Sequence, residues 1–419
     1  MSMKKFSVAA ALVLGVSAVF AQSVEIATWS GFRKGAASFT FDDGAPSHVT
    51  DAGPLFDKYG YKATFNLVVD WNPNWTGFQN MANNGHEIAS HSNTHSQVMT
   101  GEEASSKQGI EAQISQKYGC ITLAYPNCNV PDESAVLANY IAGRICNAWG
   151  MSNVMGKDGP NNWAQTPAIM TGSLGSNDFI GNMQTAVQNG GWVMFLTHGF
   201  VDKENGAATY SPTNISDMEN ALQWASQNDK DIWVAPFRNV AMYIKERNAS
   251  TIELMDGGNP NTVNFKLTHG IKDAISQYDY PLTLRVKKSE DWNRIQVLQA
   301  NAELEFTLSD DYIIFNAVPN AGLIEIQNLA VSSSSEQAES SSSQTLALPE
   351  VSKDFPYAVY ASGGSVMVSG AQGMSVTVFN ALGNKLRSTR ALGCEQKVFS
   401  GPKGLYIVKV GGQTFKVRL

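Results

Sequence analysis

Between residues 30 and 246, short apolar runs alternate with helix-like stretches, and this alternation limits the fold more than any other feature of the sequence. The apolar runs are 36–41, 63–69, 86–90, 121–125, 192–197 and 232–235. The helix-like segments 49–59, 102–118, 132–141, 178–189 and 214–227 lie between them. Parallel strands need a long crossover that packs back on the sheet, so this order implies βαβ units. The reading predicts an α/β domain over 30–246, a parallel sheet or barrel with helices outside. In such folds the chemistry sits at the carboxyl ends of the strands.

After Asn248 the pattern changes to period two, as in 282–286, 294–298, 303–307 and 312–315. That predicts a small antiparallel β-sandwich module over 255–330. Serines at 332–335 and 340–343 make 331–345 a flexible linker. Alternation returns in 375–379 and 404–410, so 346–419 is expected to be a further compact β domain. The fold class is α/β followed by two small all-β domains.

Lys4 and Lys5 precede the apolar run 8–20, and Ala21 offers a small residue before Gln22. Residues 1–21 therefore read as a secretory signal peptide. The run is shorter than the roughly 20 residues a spanning helix needs, and no later stretch suits a membrane span. The formal charge is −7 and no block of Lys and Arg occurs, which excludes a phosphate-binding surface for nucleic acid. An apolar content of 43% excludes a disordered chain. Cys120, Cys128 and Cys146 lie close together and Cys394 is remote. Three complete pairings are open to them, with Cys128–Cys146 the single bridge preferred, and their spacing is not that of a zinc knuckle.

Three segments carry chemistry. Asp42-Asp43-Gly44 follows a strand; taken alone it is a turn signal. His91 and His95 follow the next-but-one strand with a spacing that places both imidazoles on one side if the chain turns helical there. His198 ends the run 192–197. Only 6 histidines exist, and three fall at these strand ends. One Asp and two His make a three-ligand set with open positions, as a catalytic metal requires.

Thr40-Phe41-Asp42-Asp43-Gly44, His91-Ser-Asn-Thr-His95 and Leu196-Thr-His198 resemble, in this order, the motifs of the polysaccharide deacetylase family, also called the NodB homology domain or carbohydrate esterase family 4. The resemblance covers roughly 30–246. It implies a distorted (β/α) barrel, hydrolysis of acetyl groups on carbohydrate, metal ligation by Asp43, His91 and His95, Asp42 as base and His198 as acid. The expected metal is Zn2+, with Co2+ or another divalent ion also compatible. The family's Arg-x-Pro-Tyr segment stands here as Ala124-Tyr125-Pro126-Asn127, without the arginine or the terminal tyrosine. Asn127 is then expected to offer the oxyanion its backbone N–H, with Tyr125 and Pro126 beside it, and Arg144 to orient Asp42 in place of the missing arginine. Trp149 and Trp163 are candidates for a wall of the sugar groove.

Among the other histidines, His86 reads as core, His48 as an exposed loop residue, and His269 as without chemistry. Trp292 and Tyr312 are candidate sugar platforms on the β-sandwich. The tail, with 404–410 and the terminal Lys416-Val-Arg-Leu419, is similar to type IX secretion sorting domains. That implies a secreted or surface protein of a Gram-negative bacterium and secretion machinery as a partner. The expected function is deacetylation of a polysaccharide, acetylxylan or an N-acetylglucosamine polymer. The alternative is a catalytically impaired glycan-binding protein on the same fold.

Overall fold

The computed structural model describes residues 23–146, 154–255, 259, 261–272, 275–329, 358–362, 365–371, 374–380, 385–390, 395–400, 404–410 and 413–418. The signal-like segment 1–21, Trp149, the linker 331–345 and Cys394 lie outside them. The chain forms two compact units, Met1–Ser332 and Ser333–Leu419. Among the described residues, no helix is long and apolar enough to cross a membrane.

Seven parallel strands of the first unit close on themselves: β1 (Gly35–Phe41), β2 (Thr64–Leu67), β3 (Glu87–Ser90), β4 (Thr122–Ala124), β5 (Ala142–Cys146), β6 (Thr166–Met170) and β7 (Trp192–Thr197), which returns to β1. An eighth, β8 (Ile232–Val234), pairs with Gly35 to Ala37, whereas β2 pairs with Thr40 and Phe41. One edge of β1 is thus shared between two partners, which makes the barrel uneven. The crossover helices are α1 (Gly53–Lys58), α2 (Trp75–Asn83), α3 (Glu103–Gln113), α4 (Glu133–Asn139), α5 (Phe179–Asn189), α6 (Ile215–Gln227) and α7 (Phe237–Ala249).

Every residue of β1 is buried, because both faces of a parallel barrel strand are covered. Side chains alternate between the two faces. Ala37, Phe39 and Phe41 join Phe56, Phe179 and Phe195 in the core under the helices, with the Phe39 ring 5.0–5.9 Å from its three neighbours. Gly35 starts the strand because a Cβ there would meet the backbone of Ala186 in α5 at 2.7 Å. Ala36, Ser38 and Thr40 take the opposite parity, and Ser38 Oγ accepts a hydrogen bond from the Trp192 indole at 3.1 Å. At the amino end of the strands, buried Glu87 accepts from the hydroxyls of Thr64 and Thr122 and from the N–H of Arg238. Its charge is fully bonded, so its burial is tolerated.

Cys128, just after β4, forms a disulfide with Cys146 at the end of β5, while Cys120 is free and buried. Replacing both partners, Cys128→Ser with Cys146→Ser, is expected to cost about 3 kcal/mol for a loop of this size. In a thermal melt this should lower Tm by about 5 °C or more. An unchanged Tm would mean that other contacts hold the loop.

Two antiparallel sheets follow the barrel. One contains Val24–Ile26, Leu282–Lys287, Tyr312–Ala317 and Phe306–Ser309; the other contains Ser250–Met255, Thr262–His269, Leu323–Asn328, Ile295–Gln299 and Ala302–Glu303. Their core is continuous with the barrel, since Trp29, Trp192 and Trp233 cluster with Phe265, Leu284 and Phe315. Trp292 is buried in that cluster, so it packs the core and presents no sugar platform. The Tyr312 ring is covered by the Arg285 guanidinium at 4.5 Å. His269 donates from Nε2 to the Tyr278 carbonyl at 3.0 Å and lies 3.7 Å from buried Glu246 of α7, a contact between module and barrel. The second unit has sheets of Ala358–Ser362, Ser365–Ser369 and Glu395–Ser400, and of Lys385–Arg390, Ser375–Asn380, Leu405–Val410 and Gln413–Arg418. Valines including Val366, Val376 and Val408 form its core.

Candidate metal and catalytic site

Strand parity assembles the site. Asp42 continues the inward series Ala36, Ser38 and Thr40 of β1, as His91 does for Glu87 and Ala89 of β3. Arg144 shares its face of β5 with Ala142 and Cys146, which pack in the inner core. These positions converge at the carboxyl mouth of the barrel, on a cavity of about 700 Å3. Asp42, Asp43, His91, His95, His198, Tyr125 and Asn127 all line it.

Asp43 is reached by a sharp turn, with Asp43 at φ 76 and Gly44 at φ 65. Asp and Gly tolerate this left-handed region better than other residues do. The approach of His95 to His91 is not helical, contrary to the spacing argument. Ser92 (φ 70) and His95 (φ 56) are left-handed, and Ser92 Oγ accepts the His95 N–H at 2.9 Å. Glu102 accepts the N–H groups of Asn93 and Thr94 at 2.7 and 3.0 Å, which fixes the loop. The rings of His91 and His95 lie 4.9 Å apart, and each Nε2 is 3.5 Å from Asp43 Oδ1.

These three residues fit a divalent cation. Asp43 Oδ1 is buried with no hydrogen-bond partner. Burial, reinforced by the neighbouring Asp42 charge, pushes the Asp43 carboxyl up to about 8, so its ionised form calls for a counter-charge. His91 donates from Nδ1 to the Ala124 carbonyl at 2.8 Å, which turns the Nε2 lone pair toward Asp43. Burial, with the His95 and Arg144 charges, also pushes the His91 imidazole down to about 4, so it is neutral near pH 7.

Asp42 is held differently. Its Oδ1 accepts from Asn66 Nδ2 at 2.8 Å and its Oδ2 pairs with the Arg144 guanidinium. Burial alone would raise its pKa, but Arg144, His91, His198 and the Asn66 hydrogen bond together hold the carboxyl well below the usual carboxylate range. Two adjacent carboxylates thus have opposite shifts, a pattern that marks distinct chemical roles.

Asn127 is left-handed (φ 54) on a turn whose next residue, Cys128, carries the disulfide. The Tyr125 ring is buried and its hydroxyl has no partner; Pro126 is buried beside it. His48, expected on an exposed loop, is instead fully buried between Phe41 and Phe65, and its Nε2 donates to the His198 carbonyl at 2.7 Å. The chain coils into a π-helix immediately after the Asp42-Asp43 turn, which carries His48 inward. It braces the residue that follows β7, a role its sequence position did not suggest. His86 bonds Ala63 and Asp57 away from the cavity. Trp163 lies on a separate pocket with Lys245, not on the catalytic cavity.

The barrel thus carries a largely buried Asp-His-His donor set, able to hold a metal ion, beside a strongly ionised carboxylate. The polysaccharide deacetylase family model matches residues 30–130, a segment that holds Asp42, Asp43, His91 and His95 and stops short of Arg144 and His198. The first half of the barrel is thus similar to the polysaccharide deacetylase family. A model for a domain of unknown function, DUF6383, matches residues 349–418. A gellan lyase from Bacillus sp is 25% identical over 330 residues, covering 72% of this chain, and the chain spans 13% of that relative's length. Solved structures with a similar arrangement include the Xyl-CE4 domain of a multidomain xylanase from the hindgut metagenome of Trinervitermes trinervoides, at 18% identity, 49% of this chain, 89% of that chain and a TM-score of 0.31. Another is a family 4 acetyl xylan esterase from Clostridium thermocellum in complex with a cobalt ion, at 16% identity, with the same two coverages and TM-score.

Proposed function

We propose that this chain is an exported, metal-dependent deacetylase that releases acetate from a carbohydrate polymer. The observation that carries the reading is Asp42, held ionised by Arg144 and Asn66, beside the Asp43–His91–His95 set, whose Asp43 Oδ1 has no hydrogen-bond partner, in the cavity that also holds His198. Imidazole and carboxylate ligands suit zinc, and cobalt is also compatible. When bound, a divalent cation polarises the acetyl carbonyl and lowers the pKa of coordinated water towards about 7.

The chain's own residues supply the proton transfers. Water oxygen adds to the acetyl carbonyl carbon as its proton passes to the Asp42 carboxylate. The oxyanion accepts a hydrogen bond from the Asn127 backbone N–H, with Tyr125 and Pro126 shaping that wall. The bond to the sugar oxygen or nitrogen then breaks as the leaving atom takes a proton from His198; acetic acid departs and ionises in water, and exchange with solvent removes the proton from Asp42 and restores the one on His198. Acetylxylan and N-acetylglucosamine polymers both suit this chemistry, and the multidomain, signal-bearing chain favours plant hemicellulose. Residues 346–419 would then address the protein to secretion machinery at a Gram-negative cell surface.

Acetate release by metal-loaded protein from acetylxylan and from chitooligosaccharides tests the reading, with His91→Ala as control. The wild type should be active on one of them, whereas the variant should lose stoichiometric metal and at least 100-fold in turnover. No acetate from either substrate at full metal content would sink the reading and leave a glycan-binding protein.

A further inference from the structure

Two exposed aromatic side chains stand on the catalytic cavity, and neither has a role in the proton transfers. Trp71 is 40% exposed and Tyr210 is 54% exposed. The Trp71 ring lies 5.0 Å from the His95 ring, inclined by 31°; the Tyr210 ring lies edge-on to His198 at 5.4 Å. They therefore flank two different imidazoles of one reacting centre. Both are mounted on braced loops. Next to Trp71, the N–H groups of Val69 and Asp70 bond the carbonyls of Ser92 and Asn93 in the His91–His95 loop, at 3.2 and 3.0 Å. Beside Tyr210, buried Ser211 donates to the Thr171 carbonyl at 2.9 Å, and Thr213 closes the loop on Gly199 at 3.0 Å.

The rest of the wall is uncharged. Asn127, Asn129, Thr209, Ala207, Met170 and Leu196 line it, and the titratable side chains there, among the described residues, are Asp42, Asp43, the three imidazoles and the two tyrosines Tyr125 and Tyr210. A pyranose ring presents C–H groups on its faces and hydroxyls around its edge. Aromatic faces complement the former, and amides and hydroxyls the latter. Among the described residues of the wall, a carboxylated sugar would find no Lys or Arg to pair with, and a lipid chain would want a dry apolar tunnel instead.

We propose that Trp71 and Tyr210 are stacking platforms for uncharged pyranose rings, seating the polymer on both sides of the acetylated sugar. This rests on the deacetylase reading above. Binding on two platforms makes oligosaccharides better substrates than an isolated acetylated monosaccharide.

The test uses the metal-loaded full chain and compares Trp71→Ala and Tyr210→Ala with wild type on acetylated neutral oligosaccharides and on a sugar-free alkyl acetate. The ratio of kcat/KM between the two substrates should fall about 10-fold in each variant, through KM, and Trp71→Phe and Tyr210→Phe should keep most of it. Retardation of the protein in a native gel containing acetylated polysaccharide should weaken in parallel. Equal slowing on both substrates would overturn the proposal, because the rings would then only brace the imidazoles; so would unchanged kinetics, or a preference for uronate-bearing oligosaccharides. Polysaccharide retardation that Trp71→Ala abolishes, without acetate release by wild type, would keep the platforms and discard the deacetylase reading. Acetate release indifferent to both variants would do the reverse.

Discussion

Asp42→Asn is expected to lower kcat on acetylated oligosaccharide by about 10²–10⁴-fold, the usual contribution of a positioned base, while metal content stays stoichiometric. The substitution keeps the shape of the side chain and its contact with Asn66, but an amide cannot accept the proton of the attacking water. It leaves Asp43, His91 and His95 intact, so metal analysis separates loss of the base from loss of the cation. Asp43→Asn should behave in the opposite manner: activity falls because metal is lost, and excess metal restores part of it. Burial and the Asp42 charge oppose ionisation of Asp43, so its affinity for metal should weaken as pH falls below about 8. Equal metal loss in both variants would mean that Asp42 is itself a ligand. Its Oδ2 lies 3.9 Å from His91 Nε2, against 3.5 Å for Asp43 Oδ1, and it is committed to Arg144.

Strand-end chemistry was legible because burial and catalysis leave different marks on adjacent residues. A run such as Ser38 to Phe41 must be covered on both sides, so the two carboxylates that follow it can lie only at the mouth. The same reasoning reaches His91 and His198. It also reaches Arg144, which lies within a strand and meets Asp42 because both take inward parity. Strand β6 is hidden in the sequence because Pro167 interrupts its pattern, and proline is normally confined to strand edges or starts; here Pro167 is the second residue, opposite Ile145. Helix α2 carries Gly77 and several amides, and its start is set by Asn74 accepting the Gly77 N–H at 3.0 Å, a local signal too weak to find from periodicity. The pairing of Val24–Ile26 with Leu282–Lys287 joins segments on opposite sides of the barrel in sequence, which no window of local pattern contains. Trp71 and Tyr210 sit on loops, where position depends on tertiary bracing rather than period.

Arg144→Ala should impair the enzyme in a way that depends on pH. The side chain is buried, and it supplies the largest of the effects that lower the Asp42 pKa. Without it, burial is opposed only by His91, His198 and the Asn66 hydrogen bond, and the pKa of Asp42 rises from its depressed value. The acid limb of kcat/KM should therefore shift upward by at least one pH unit, and turnover at pH 6 should suffer more than turnover at pH 8. Stability changes with the opposite sense of pH. In the wild type the folded pKa is depressed, so Asp42 stabilises the fold above its unfolded pKa, and this is lost only as pH falls through the folded value. In the variant the folded pKa lies higher than in the wild type, so Asp42 contributes less stability above it and the deficit against wild type grows as pH rises through it. Removing one partner of a buried pair costs roughly 3–5 kcal/mol when the other stays charged. The metal-free variant should thus melt closest to wild type near pH 4 and fall furthest below it near pH 8. Arg144→Lys, which keeps a charge without the planar fork, should recover much of the stability and less of the rate, since ammonium cannot reproduce the guanidinium geometry toward Asp42. Parallel pH–rate profiles for wild type and Arg144→Ala would show that Arg144 does not set the charge of Asp42, and would leave Asn66 as the residue that orients it.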